Sequence, residues 1–453
     1  MKFSQALIAC ALTAACTAQV AVGAEETKQL GTTLTLIGAE RAGNADGSIP
    51  EYTGGLTTPP AGFEAGSGIR PDPFANEKPL ATITAANMAQ YEAKLTAATR
   101  ELLTRHPNTF RVDLYPTHRT VAFPQYVLEN TLKNATSAET TGEGLGLRNA
   151  YAGYPFPVPK TGYEAMWNHL LRYGGHAIQS KFDTVNVSSD GRATLSTTGE
   201  IVQEFPIYDP RRTEMLSEKD TYSRIRINYT APARRAGEAV LTMDSINPLA
   251  QPRRAWQYLP GQRRVKLAPD VSYDTPNPGG AGMSTYDDSW IFNGAMDRYD
   301  FKLVGKQEIV VPYNAYKLVY WKNAKDVTTP NHLNPDLVRW ELHRVWVVEA
   351  TLKPGKRHIY SKRVFYLDED SWVALASDQY DARGQLYRAG FSFMAPAYDL
   401  PAPQSDTHIS YDFVAGLYSF VGANVGNYIG TRYVDALPDS EWSADALAGS
   451  GVR

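Results

Sequence analysis

Two runs of acidic residues, Asp287-Asp288 and Asp368-Glu369-Asp370, are the densest groups that could act as general acids and bases or bind Ca²⁺. Glycosidase chemistry needs two carboxyl groups about 5–10 Å apart across a cleft. Neighbouring residues of a strand point to opposite faces, so neither run supplies that pair alone. Asp368-Glu369-Asp370-Ser371 stands where a hairpin should turn, and a solvated turn is expected there in preference to a metal site. The eight His are scattered. His169 and His176 are seven residues apart, which fits no zinc-ligand spacing. His106 precedes Pro107 and reads as a helix end, and His343 lies on the mixed face of a long strand. The chain has no Gly-x-Ser-x-Gly, no His-Glu-x-x-His, no Walker loop and no dinucleotide-binding glycine pattern. No catalytic residue, metal site or cofactor is therefore assigned, and a binding role is expected rather than an enzymatic one.

Apolar residues at strand spacing are more informative. From Val338 to Leu352, one face carries Val338, Trp340, Leu342, Arg344, Trp346, Val348, Ala350 and Leu352. At about 3.3 Å per residue such a strand approaches 50 Å, natural in a strongly curved sheet or partial barrel. Lys353-Pro354-Gly355-Lys356 turns the chain, and Tyr360 to Leu367 returns as its antiparallel partner. Arg344 interrupts the apolar face, and a buried cation needs a partner. That partner is either an anionic headgroup in an apolar cavity or an internal carboxylate, unless a bulge turns Arg344 outward. Trp256 and Tyr258 share a face of another strand, and Pro260-Gly261 leads into Val265 and Leu267 as a hairpin. Ile225, Ile227 and Tyr229 alternate with Arg224, Arg226 and Asn228, the pattern of a strand with one wet face. Tyr316, Leu318 and Tyr320 repeat the alternation. Asp381-Ala382-Arg383-Gly384 marks a further hairpin.

Two helices should accompany the strands. Met88, Tyr91, Leu95, Ala98 and Leu102 recur on one face between Thr84 and Arg105, and Thr161-Gly162-Tyr163-Glu164 opens a second helix from Tyr163 to Tyr173. Residues 25–83 form a Gly- and Pro-rich leader, either an ordered wrap or disordered. The main domain should cover 84–400, with a C-terminal extension and tail over 401–453.

The 453 residues suffice for a large domain. Seven of the eight Trp lie between Trp256 and Trp442. Lys2, the apolar stretch Ala6 to Val22 and the small residues Val22-Gly23-Ala24 read as an export signal over residues 1–24. Cys10 and Cys16 both fall inside it, so the mature chain would lack thiols and disulfides. Leu7-Ile8-Ala9-Cys10 also fits a lipoprotein processing box. A net charge of −3 gives no reason to expect nucleic acid. Ten Arg and two Lys against six acids between Asp209 and Lys266 could dock an anionic surface, or simply charge strand edges and turns.

Several longer phrases carry a resemblance. They are Gly38 to Pro50 with Tyr52-Thr53-Gly54-Gly55, Arg254 to Arg264, Phe292-Asn293-Gly294, Arg339 to Ala350, and Lys362 to Asp370. Together they resemble a proteobacterial family, domain of unknown function 1329, whose members are often labelled outer-membrane lipoprotein-sorting proteins. The resemblance implies a mostly β (α+β) fold like that of the lipoprotein carriers LolA and LolB. There, a large curved antiparallel sheet, an incomplete barrel, is capped by a few helices around an apolar cavity. It implies a periplasmic carrier or adaptor for a lipid or other hydrophobic cargo, working with an exporter of the resistance-nodulation-division (RND) type and an outer-membrane protein. Trp256, Tyr258, Trp340, Leu342, Trp346, Val348, Val364 and Tyr366 are expected on the cavity side, with Arg344 as headgroup contact. The alternatives are a ligand-free accessory subunit of an envelope export complex and an envelope hydrolase acting on lipid or glycan.

Overall fold

The computed structural model describes residues 27–269, 271, 273–426 and 430–450. The expected export signal, with Cys10 and Cys16, lies outside these residues. Short strands β1 (Ala81–Ile83) and β2 (Val112–Leu114) come first, followed by a small separate hairpin, β3 (Glu139–Thr141) and β4 (Gly146–Arg148). A first meander comprises β5 (Ala177–Val187), β6 (Ala193–Glu204), β7 (Thr221–Ala231), β8 (Ala239–Ser245), β9 (Arg254–Leu259) and β10 (Arg264–Leu267). After β11 (Tyr299–Pro312), a second meander comprises β12 (Trp340–Leu352), β13 (Lys362–Asp368), β14 (Ala374–Tyr380), β15 (Leu386–Phe393), β16 (Thr407–Asp412) and β17 (Leu417–Ala423). β18 (Arg432–Tyr433) adds to β5.

The two meanders are one sheet. β17 pairs antiparallel with β5, so the later half of the chain lies beside the earlier half. Among the described residues sixteen strands join, with β1 at one end of the path and β10 at the other, and the sheet does not close into a barrel. β12 is the anticipated long strand, paired with β11 along its whole length and with β13 over Val345–Thr351. The sheet runs past residue 400: β16 and β17 are inner strands, so the expected division there does not coincide with an edge of the sheet.

Both faces are covered. In β13, Phe365 and Leu367 enter a core that holds the helix Gly162–Leu170, while Tyr366 enters another that holds the helix Ala97–Arg105. A third, smaller cluster joins Ala239, Leu241 and Tyr258 to Trp442 and Leu447 of the C-terminal segment. That segment is packed structure rather than a surface tail. It also covers the arginine side of β7: Arg224 pairs with Asp439 at 2.8 Å and Arg226 with Glu441 at 3.1 Å. The face expected to be wet is thus the seat of the last helix, Ala444–Ser450. The leader is an ordered wrap from residue 27 onward, with Ile37 and Ile49 in the two main cores. The Ile37 carbonyl accepts the Trp372 indole N–H at 3.0 Å.

Three local elements depart from expectation. The helix predicted from Thr84 to Arg105 is two pieces, a 3₁₀ turn Met88–Lys94 and an α-helix Ala97–Arg105. Thr96 caps the second piece and accepts the Thr99 N–H, while the Asp378 carboxylate takes the N–H groups of Ala97 and Ala98. A helix start fixed by a residue almost three hundred positions away leaves no local mark. Tyr316-Leu318-Tyr320 is a short helix, Tyr316–Val319, instead of a strand; an alternation of five residues is too short to separate the two periods. The unforeseen helix Gln125–Ser137 buries Asn130, Thr131 and Asn134 beside Val127, so its inner face is mostly polar and shows no apolar period. Asn134 donates to the carbonyls of Tyr151 and Tyr154 at 3.1 Å.

Candidate functional site

The residues expected to share a cavity are dispersed. Cross-strand partners lie on one face of a sheet, and Val202, Arg226, Leu241 and Trp256 are successive partners across β6 to β9. Trp256 and Tyr258 therefore face the C-terminal helix, and Tyr258 is buried against it. Trp340, Leu342 and Tyr366 are buried in the first core with Val364 packed on it, and Val348 is buried in the second beside Trp346. Trp346 stacks on Trp372 with ring centroids 5.9 Å apart. These side chains fill the interior, because helices and the leader cover both faces of β12 and β13. Trp340 borders a small void of about 10 Å³.

Arg344 meets an internal carboxylate. Its guanidinium reaches Glu369 at 3.2 Å, Glu40 at 3.6 Å and the Ala42 carbonyl at 3.0 Å. Glu369 also pairs with Arg119 and Lys306, and Asp370 is held by Arg119 at 2.6 Å. Asp368, Glu369, Asp370 and Ser371 are all buried, so the solvated turn expected there is a buried polar junction closed over by the leader. Asp287 and Asp288 are likewise structural. Arg363 bonds both, at 3.0 and 2.8 Å, and His358 and Tyr360 take one each. Burial works against ionisation of Asp287, but Arg363 and His358 hold its carboxyl well below the usual range.

A partly open cavity of about 90 Å³ lies on the opposite face of the first meander, where it meets β16 and β17. Ile178, Phe182, Ile201, Ile227, Val421 and Ala423 form its apolar wall. Ile201 and Ile227 are direct cross-strand partners, which sets them on the face away from the C-terminal helix. Phe182, Ile227, Tyr229 and Val421 are only half-buried: among the described residues no helix packs on them, and the segment carrying Asn277, Gly279, Ser289 and Trp290 lines the cavity with them instead. Trp290 and Ile291 both have left-handed backbone, φ 51° and 72°, which strains a β-branched residue such as Ile291.

The cavity lining also has polar members, Ser180, Thr184, Thr197, Gln203, Asp406 and His408 among them. Burial raises the Asp406 carboxyl above its ordinary range and pushes the His408 imidazole down to about 4. Both groups are thereby held toward their uncharged forms, which suits an apolar ligand with a neutral polar end. Strand alternation in β7 marked Ile227 and Tyr229 as one face. The cavity itself depends on the β17–β5 junction, which sequence reading did not foresee. A wider surface groove of about 720 Å³ runs between residues 69–75 and 316–323, with Lys317 and Lys322 at its wall. No helix among the described residues is long and apolar enough to cross a membrane.

Comparison with known proteins finds several that this chain is similar to. It is 41% identical over 437 residues to an uncharacterized protein of Pseudomonas aeruginosa, covering 96% of this chain and 95% of that one. It is similar in structure to an outer membrane lipoprotein-sorting protein domain from Vibrio parahaemolyticus, with 15% identity, 63% of this chain and 97% of that chain covered, and a TM-score of 0.43. A DUF1329 family protein from Desulfovibrio piger gives 17% identity, the same coverage and the same TM-score of 0.43. The model of the protein family of unknown function DUF1329 matches residues 82–448. With that match over most of its length and a relative of this identity, the chain belongs to the DUF1329 family.

Proposed function

We propose that this protein is a periplasmic carrier or adaptor that takes a lipid or similar apolar cargo into the cavity between β5–β7 and β16–β17. The observation that carries the reading is the set of half-buried apolar side chains there, covered by a single loop rather than by a helix. At about 25 cal/mol per Å² of apolar surface removed from water, completing the burial of these walls favours an apolar guest.

The volume limits that guest. At about 90 Å³ the cavity is smaller than the ~150 Å³ that holds a benzene. An acyl chain would enter by its end only, or more deeply as the strained Trp290–Ile291 turn swings away. Delivery toward the outer membrane, with an RND-type exporter and an outer-membrane protein as partners, rests on the family resemblance of the sequence phrases.

A ligand-free accessory subunit is the second reading, favoured by the tight filling around β12 and β13. Native mass spectrometry of gently purified protein separates the two. A carrier retains a lipid-sized adduct that organic extraction removes; a chain that is adduct-free from its natural host and takes up no added fatty acid is an adaptor.

A further inference from the structure

We propose that His343, Asp368 and Asp370 form a buried site for one divalent transition-metal ion of the zinc class. β12 carries His343, the last residue of β13 is Asp368, and the turn beyond it holds Asp370. One ligand-capable atom from each lies within 4.8 Å of the other two, and all three residues are buried.

The surroundings are built as the support of such a site is built. The His343 ring stacks on Tyr313 at 3.6 Å, and its Nε2 lies 3.0 Å from Oε2 of Glu341. With Nε2–H donating to that carboxylate, Nδ1 keeps its lone pair for a metal, the carboxylate–histidine pairing that orients metal-bound imidazoles. Glu341 is fixed in turn by Arg339 at 2.5 Å and by the Asn314 amide at 3.0 Å.

Asp368 is the second, independent sign. Its Oδ2 accepts from Ser371 at 2.6 Å and Tyr313 at 3.2 Å, but its fully buried Oδ1 has no hydrogen-bond partner. Among the described residues it is also the one carboxylate of this network with no cation in ion-pair range. Glu40, Glu77, Glu341, Glu369 and Asp370 pair with Arg119, Lys306, Arg339 and Arg344, and Glu77 also pairs with His118 at 2.7 Å. Asp370 accepts from Arg119 at both oxygens, which leaves each a further lone pair. One imidazole and two carboxylates suit zinc or manganese; calcium and magnesium prefer oxygen alone. The ion would tie β12 and β13 to the leader, since Arg119 also donates to the carbonyls of Arg41 and Pro50.

The site is separate from the cargo cavity, and its test does not depend on cargo. The mature chain, purified without chelator, is analysed for metal and melted with EDTA and with added Zn²⁺ or Mn²⁺. Expected are about one metal per chain and a Tm several degrees lower in EDTA, restored by metal. Asp368→Asn should lose the metal and the EDTA response while melting in EDTA no lower than the parent chain. His343→Gln, measured the same way, serves if that variant does not fold. Less than about a tenth of an equivalent with no Tm response to either ion overturns the proposal and leaves a protonated Asp368 as the occupant. So does a variant that keeps the full metal content.

Discussion

The ring of Phe182 lies directly across the β5–β6 pair from Gly199, so close that a Cβ at 199 would come within 2.7 Å of Cε1 and Cζ. Gly199 thus lets Phe182 lie flat on the sheet and keeps the cavity beside it open. A side chain there must move the ring, and the free space is the cavity. Gly199→Val is expected to weaken binding of a fluorescent fatty acid at least tenfold, about 1.4 kcal/mol, in a fluorescence titration. Gly261→Ala, where a Cβ meets open space, should bind as the parent does.

Removing Arg119 should expose how the leader is held. Its guanidinium serves Glu369 and Asp370 at 3.2 and 2.6 Å from a buried position. Arg119→Met leaves Asp370 without a charge partner and Glu369 with Arg344 and Lys306 alone, and breaking such a buried pair costs about 3–5 kcal/mol. Urea denaturation checks this, with a shifted midpoint at unchanged slope as the expected result.

Acid should weaken the protein through His169. Its Nε2 lies 3.0 Å from the Phe292 carbonyl and its Nδ1 3.1 Å from the Ala374 N–H, and burial holds its pKa down at about 3. The unfolded chain takes up a proton below about 6.5 that the native site refuses, so stability is full above that pH and falls beneath it. The loss is about 1.4 kcal/mol per pH unit between 6.5 and 3. His169→Asn should start less stable but show a stability–pH slope one proton smaller between pH 6 and 5.

Asp378 should act as a helix anchor at a distance. Its carboxylate accepts the Ala97 and Ala98 N–H groups at 3.0 and 2.9 Å and the Tyr366 hydroxyl at 2.9 Å. Asp378→Ala is expected to cost about 1–3 kcal/mol in urea denaturation, because cap and hydroxyl lose their acceptor together.

The long strand, the capped helix at Thr161 and the family were legible in the sequence because each is written locally: alternation over thirteen residues, a capping box, contiguous phrases. The cavity was not, since Ile178, Ile201 and Val421 meet only through the β17–β5 pairing of chain segments more than two hundred residues apart. Trp340 and Leu342 misled for the same reason. An apolar face records burial, and whether a ligand or the protein's own leader does the burying is decided elsewhere in the chain. The Asp368 turn failed as an expectation because Arg119 and Lys306, which permit its burial, are likewise remote in sequence.

Photo-crosslinking with a diazirine-bearing fatty acid tests the cargo site most directly. Labelled peptides should come from residues 178–184, 201–203, 227–229 and 421–423, and the labelling should fall sharply in Gly199→Val. Label confined to the groove at residues 69–75 and 316–323, or no saturable labelling at all, would contradict a cargo cavity on the first meander.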